Sequence, residues 1–307
     1  MKFYSYKTNE QSEVMLGVES PNDNSKLLPL TQFGYTTNIM AEFIGNTTAE
    51  ALLDLKNIIS NSSGASNVSD FKSVKKIDTV ACAPIIHPAQ DVICLGVNYV
   101  EHAKESAKFK KEAFGGARPF PIYFSKRVSE AVADGGEIPA YVGLVDSLDY
   151  ESELAVIIGK DAKNISEEEA FDYIFGYTIV NDVSARNLQT RHSQWYLGKS
   201  LDGFTPMGPC IVTKDEFDIP PRVAVRSYVN GELRQNSNSE LLITGIAHII
   251  AELSSGITLK AGTIISTGTP SGVGMGFVPP RFLKPGDVVV CEIEGIGEIK
   301  NMVVGDD

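Results

Sequence analysis

The hydrophobic pattern divides the chain unevenly. Short apolar stretches at residues 3–6 and 14–18 read as strands opening a first segment. Residues 49–59 carry Leu52, Leu53, Leu55 and Ile59 near a 3.6-residue period, which predicts a helix. The run Asn61-Ser62-Ser63-Gly64-Ala65-Ser66-Asn67 has no apolar face and predicts an exposed loop. After Pro84 the chain turns apolar at residues 92–96, a short buried-strand signal. The composition shift near residue 80 predicts a small N-terminal domain, 1–80, and a larger domain, 81–307.

Strand signals dominate the larger part. Residues 223–229, Asn230-Gly231 and residues 232–234 predict a hairpin whose turn residues tolerate the positive φ angles of a type I′ turn. Leu259-Lys260-Ala261-Gly262 and Leu283-Lys284-Pro285-Gly286 each read as a tight turn feeding a strand. Helices are few. Ser166 and Glu169 form a capping-box pattern predicting a short helix to about Tyr173. Residues 244–253 place Ile246, Ile249, Ile250 and Leu253 on one face and stop at Gly256. Strands without regular βαβ alternation predict a β-rich mixed α+β fold.

Composition narrows the function classes. The 307 residues are 43% hydrophobic and 21% charged, ordinary for a globular chain. A formal net charge of −12 repels phosphate backbones and anionic lipid, so neither nucleic acid nor a membrane is an expected partner. An anionic small molecule stays admissible, because a bound cation reverses the sign locally. Cys82, Cys94, Cys210 and Cys291 lack zinc-type or redox spacing, which points to a reducing compartment. No apolar h-region opens the chain, and no apolar run nears the ~20 residues that span a bilayer. The cytoplasm is the expected location.

Candidate chemistry concentrates in a few acidic and basic positions. Glu151 and Glu153 lie in a stretch whose apolar second half predicts a strand, where residues two apart share a face. Two like charges on one face repel unless a cation or solvent lies between them, and a hard divalent ion accepts such oxygens. Asp182 follows the strand-like residues 176–181 and supplies a third carboxylate at a sheet rim. By composition alone, Glu-x-Glu is more often a solvated edge strand than a metal site. His102 and Glu105 are three apart, neighbours on one helical turn, and a carboxylate beside an imidazole raises its basicity. Lys199 alone reads as an exposed lysine. Arg186 and Gln189 share a turn just after Asp182, with Arg186 able to serve a nearby acid instead. Gly268-Thr269 offers an N–H and a hydroxyl to an anion, or is simply a turn. Residues 195–197 either line a pocket or pack, with packing the stronger reading.

Five linked motifs then appear in order. They are Leu95-Gly96-x-Asn98-Tyr99-x-x-His102-Ala103-x-Glu105; Glu151-x-Glu153-Leu154 with Gly159-Lys160; and Gly176-Tyr177 with Asn181-Asp182-Val183-Ser184-Ala185-Arg186. Gly198-Lys199-Ser200-x-Asp202 with Pro206-x-Gly208-Pro209, and Thr267-Gly268-Thr269-Pro270-x-Gly272-Val273-Gly274, complete the series. From about residue 84 to the C-terminus the chain resembles the fumarylacetoacetate hydrolase superfamily, with acylpyruvases and fumarylpyruvate hydrolases as models. Residues 1–80 carry no such motif.

The resemblance implies a barrel-like β-roll, a homodimer, and metal ligands at Glu151, Glu153 and Asp182, for Mg²⁺ with Mn²⁺ or Ca²⁺ as substitutes. It implies His102 and Glu105 as the base pair on a lid, with residues 104–111 and Gly115-Gly116 as a polar, hinged segment. It makes Lys199 the cation where negative charge develops, and Arg186, Gln189, Gly268 and Thr269 the substrate contacts. Asn187 departs from the family, where many members carry Asp. The expected reaction is hydrolytic C–C cleavage of an acylpyruvate-type 2,4-dioxo acid through a metal-stabilised pyruvate enolate. Decarboxylation of oxaloacetate, and isomerisation or hydration of an unsaturated 2-oxo diacid, are rivals using the same electron sink. A non-catalytic metal-containing binding module is the rival of another class.

Overall fold

The strand Ser152–Ile158 is buried at all seven positions, and its alternation explains why. Leu154, Val156 and Ile158 face one hydrophobic core, while Ala155 and Ile157 face a second. A strand covered on both sides reads as an uninterrupted apolar run. The computed structural model describes residues 1–61, 71–110 and 120–305; the expected loop at residues 61–67 lies almost wholly outside these, as does the Gly115-Gly116 hinge.

This strand sits inside an eleven-stranded sheet. It pairs antiparallel with Ile174–Asn181 on one side and with Ile264–Ser266 on the other. Beyond Ile264–Ser266 come Val92–Gly96, in parallel, and Ile122–Lys126. In the other direction Met207–Thr213 follows, and Lys2–Lys7 pairs with it through Lys2↔Val212 and Phe3↔Ile211. The first eighty residues thus extend the same sheet and share the second core, where the rings of Phe3, Phe43 and Phe175 lie 5.1–6.2 Å apart.

The first core is closed by a five-stranded sheet ordered Glu232–Asn238, Ala224–Val229, Val288–Ile293, Gly297–Val304 and Glu137–Pro139. Helix Ile246–Gly256 adds Ile246, Ile249, Ile250 and Leu253, the face that the periodicity predicts. The strand orders run as open paths and do not close into a barrel, so the fold is a strand-rich mixed α+β arrangement.

Local expectations fare unevenly. Asn230 and Gly231 both have positive φ, 51° and 80°, as the type I′ hairpin requires. Gly262 and Gly286, at φ 83° and 91°, make matching turns ahead of their strands. The capping box is only half formed. Glu169 accepts from the Ser166 N–H, but the chain turns irregularly and only Ala170–Tyr173 forms a 3₁₀ helix. A hydrogen bond from residue 159 to Tyr173, N–H to carbonyl at 2.7 Å, already commits the next residues to the sheet.

Candidate active site

Two neighbouring strand ends bring the acidic residues together. Glu151 lies just before the strand Ser152–Ile158 rather than within it, joined to Asp182 through the Asp182 N–H donating to the Glu151 carbonyl at 2.9 Å. Glu153 pairs with Val180 one strand over. One oxygen from each of Glu151, Glu153 and Asp182 lies within 4.8 Å of the others, and all three side chains are buried. The edge-strand alternative fails here, because this strand is central.

Buried carboxylates need partners, and the fold supplies cations from three elements. Lys199, at the end of the short helix Tyr196–Lys199, donates to Glu151 Oε2 and to Asp182 Oδ2, each at 2.6 Å. Far from an exposed lysine, it is 1% exposed. Arg186, opening the helix Arg186–Arg191, donates through Nη2 to Glu151 Oε1 at 2.6 Å and through Nε to Asp149 Oδ2 at 2.9 Å. Its Nη1 donates to Gln189 Oε1 at 3.0 Å. Asp149 accepts in turn from the N–H groups of Gly274 and Met275. Asn187 does not join this cluster. Its side-chain N–H donates to the Leu144 carbonyl, and nothing in the structure explains the departure from Asp.

The third cation is Lys126, fully buried at the end of Ile122–Lys126. It donates to Asp182 Oδ1 at 2.7 Å and to the Val183 carbonyl at 2.9 Å. Sequence reasoning misses it. A lysine closing the aromatic stretch Tyr123-Phe124 is the only local signal, and that pattern reads equally as an exposed strand end.

Electrostatics separate the three acids. Burial pushes Glu151 up, but Lys199 and Arg186 outweigh it and hold its carboxyl well below the usual range. Burial, then Asp182 and Glu151, push Glu153 well above the usual range, despite hydrogen bonds to its Oε2 from Ser266 Oγ (2.6 Å) and the Gly268 N–H (2.9 Å). Burial lowers Lys199, yet the charges of Asp182 and Glu151 win and raise it. Glu153 therefore carries the largest unmet demand for positive charge. Three hard oxygen donors on fixed elements suit a small divalent ion, whose oxygens stand roughly 3–4 Å apart at bond lengths of about 2.1 Å.

Over this cluster lies the helix Val100–Phe109. His102 is 4% exposed, its Nδ1 3.2 Å from Glu105 Oε2. Glu105 also accepts from the Gly272 N–H at 3.0 Å, and a Cβ on Gly276 would fall on its carboxylate. Glycine at 276 is thus what lets the helix settle. His102, Glu151, Glu153, Arg186, Gln189, Lys199 and Thr269 line one cavity, walled by Leu95, Phe124, Trp195 and Met275. The space left for the centre of a water-sized sphere is about 10 Å³, roughly room for one water. Thr269 Oγ1 accepts from Gln235 Nε2 at 2.7 Å and donates to the Ser152 carbonyl, while the Gly268 N–H is spent on Glu153. Trp195 packs over Gly96 and against Phe124, whereas Tyr196 and Leu197 are more than 40% exposed, contrary to the packing expectation.

The fold and this site define a member of the fumarylacetoacetate hydrolase family, to which the chain belongs. The family's model, fumarylacetoacetate hydrolase C-terminal, matches residues 91–304. The chain is 46% identical over 221 residues to the oxaloacetate tautomerase YisK of Bacillus subtilis, covering 72% of each protein. Among solved structures, a fumarylacetoacetate hydrolase from Exiguobacterium antarcticum superposes with a TM-score of 0.82 at 36% identity over 100% of both chains. A 2-hydroxyhepta-2,4-diene-1,7-dioate isomerase from Mycobacterium marinum gives 0.72 at 28% identity, covering 100% of this chain and 99% of the other. Family members so named are enzymes acting on small molecules. Among the described residues no helix is long and apolar enough to cross a membrane.

Proposed function

We propose that this chain moves a proton at C3 of a 2-oxo acid, and that its reaction is the enol–keto tautomerisation of oxaloacetate. The observation that carries this is the buried His102, with Glu105 on its Nδ1, lining the same cavity as Lys199. A base and a fixed cation on one cavity are what enolisation needs. The likeness to an oxaloacetate tautomerase supports the choice.

A divalent ion held by Glu151, Glu153 and Asp182, Mg²⁺ in our reading, would polarise the 2-oxo group as a Lewis acid. Lys199 places its ammonium where the oxygen gathers negative charge. His102, oriented by Glu105, accepts the proton released by the enol hydroxyl and returns one to C3, so atoms and charge balance. Arg186 and Gln189 brace the cavity wall and present their remaining N–H groups to the substrate's carboxylates; Gly268 and Thr269 shape the opposite wall. The homodimer, the cytoplasmic location and the division at residue 80 belong to the same reading.

Hydrolysis of an acylpyruvate is the second reading. It is favoured by the same His102–Glu105 pair, which would take the proton of an attacking water. The test follows the ultraviolet absorbance of enol-oxaloacetate with Mg²⁺, alongside a panel of acylpyruvates. Tautomerisation predicts accelerated enol decay that falls by about 10²–10⁴-fold in His102→Ala. Cleavage of an acylpyruvate with no acceleration of enol decay would replace the first reading with the second.

A further inference from the structure

Outside this chamber, one buried charged side chain is only partly satisfied, lying beside the Tyr150 hydroxyl with two of its nitrogens unpaired. Arg234 is 8% exposed, and its Nε and Nη1 have no hydrogen-bond partner among the described residues. Buried guanidinium N–H groups are normally satisfied, because leaving one unmade costs more than a typical hydrogen bond returns. Its one charged contact, Nη2 to Glu232 at 3.2 Å, is shared. Glu232 is half exposed and is already gripped by both terminal nitrogens of Arg281, each at 2.7 Å.

The backbone explains how Arg234 comes to point inward. In the hairpin, Ser227 pairs with Gln235 and Tyr228 with Leu233, so Arg234 is passed over as the extra residue of a bulge. Bulges re-aim side chains and recur beside functional sites. The next residue, Gln235, reaches the chamber wall at Thr269 and Ser152. Arg234's own carbonyl abuts Gly272, where no Cβ would fit, and the Gly272 N–H is the group that holds Glu105. On the outer side, the guanidinium groups of Arg234 and Arg281 each lie 5.1 Å from the ring of Phe277.

We propose that Arg234, with Arg281 and Phe277, forms an oxyanion-binding position at the rim of the active site. Both forks of a guanidinium include Nη2, which faces Glu232, so Nε and Nη1 offer their N–H donors to oxyanion oxygens on separate edges, and the aromatic face helps to orient the group without using them. The oxyanion has two sources, the distal carboxylate of a dicarboxylic substrate or a free anion from solution. The first deepens the proposed reaction and rests on that reading; the second stands without it.

The experiment measures binding, so its failure is separable from a failure of the proposed reaction. Mg²⁺-loaded wild type, Arg234→Met and Arg234→Lys are titrated calorimetrically with malate, with lactate (the same head without the distal carboxylate) and with inorganic phosphate. Circular dichroism checks the fold of each variant. A malate-over-lactate preference that shrinks at least 10-fold in Arg234→Met, and only partly in Arg234→Lys, assigns the position to the substrate's distal carboxylate. Phosphate binding that weakens at least 10-fold in Arg234→Met and persists in the presence of saturating malate assigns it to a free anion. The proposal is overturned if all three proteins bind malate, lactate and phosphate alike, or if wild type binds phosphate no more than Arg234→Met and shows no malate preference.

Discussion

Two places in the molecule hold the same arrangement, one lysine bridging two carboxylates. On the surface Lys56 joins Asp215 and Glu216, with every partner about 40% exposed or more. Inside, Lys199 joins Glu151 and Asp182, at side-chain exposures of 6% or less. Geometry is alike and consequence is not. Water shares the surface charges, so the outer trio is close to neutral in energy. The inner trio is out of water's reach, so losing one member leaves buried charge to be met by Arg186 and Lys126 alone. Glu153 then adds a carboxylate that the three buried cations do not bridge, and burial, followed by the charges of Asp182 and Glu151, pushes it well above the usual range. The comparison teaches that the chamber is set up for one more positive charge.

Glu153→Gln tests that statement most severely. It removes the unmatched charge, so turnover with Mg²⁺ should fall at least ~10³-fold, the equivalent of several kcal/mol of lost Lewis-acid stabilisation. Chemical denaturation in EDTA should show a metal-free protein at least as stable as wild type, since a neutral amide ends the repulsion. Turnover retained in metal-free buffer would sink the scheme. Next in size, Lys199→Met should cost about 3–5 kcal/mol in urea unfolding, because it removes the cation between Glu151 and Asp182 and leaves each with a single buried partner, Arg186 or Lys126. Adding Mg²⁺ should come third, stabilising wild type by about 2.7 kcal/mol at a hundredfold excess over its dissociation constant and raising Glu153→Gln by much less. The smallest effect belongs to Lys56→Met, expected below about 1 kcal/mol and weaker still in high salt. An outer lysine as costly as the inner one would dissolve the contrast.

Legibility in the sequence followed the same divide. The carboxylates at 151, 153 and 182, the pair at 102 and 105, and Lys199 stand in motifs of fixed spacing; four of the six line one cavity, with Asp182 beside Glu151 and Glu153 and Glu105 on His102. The central strand was legible because apolar residues fill both faces. What escaped were residues whose role depends on partners far along the chain. Lys126 meets Asp182 across 56 residues, and Gln235 meets Thr269 across 34. No local period encodes such encounters. Arg234 escaped for another reason, since a one-residue bulge reverses the face that strand alternation assigns. The half-formed capping box shows the opposite error, a real local signal that a sheet hydrogen bond overrides.

The bonds that steady Glu153 come from Ser266 and Gly268, 113 and 115 residues further along the chain. During synthesis the acidic trio and its lysines emerge well before those donors do. A ribosome-bound chain that stops short of residue 266 therefore has every charge of the chamber and no means of orienting the one that most needs it. Binding competence for a divalent ion should arise late and abruptly, as the final strands close, rather than growing with length.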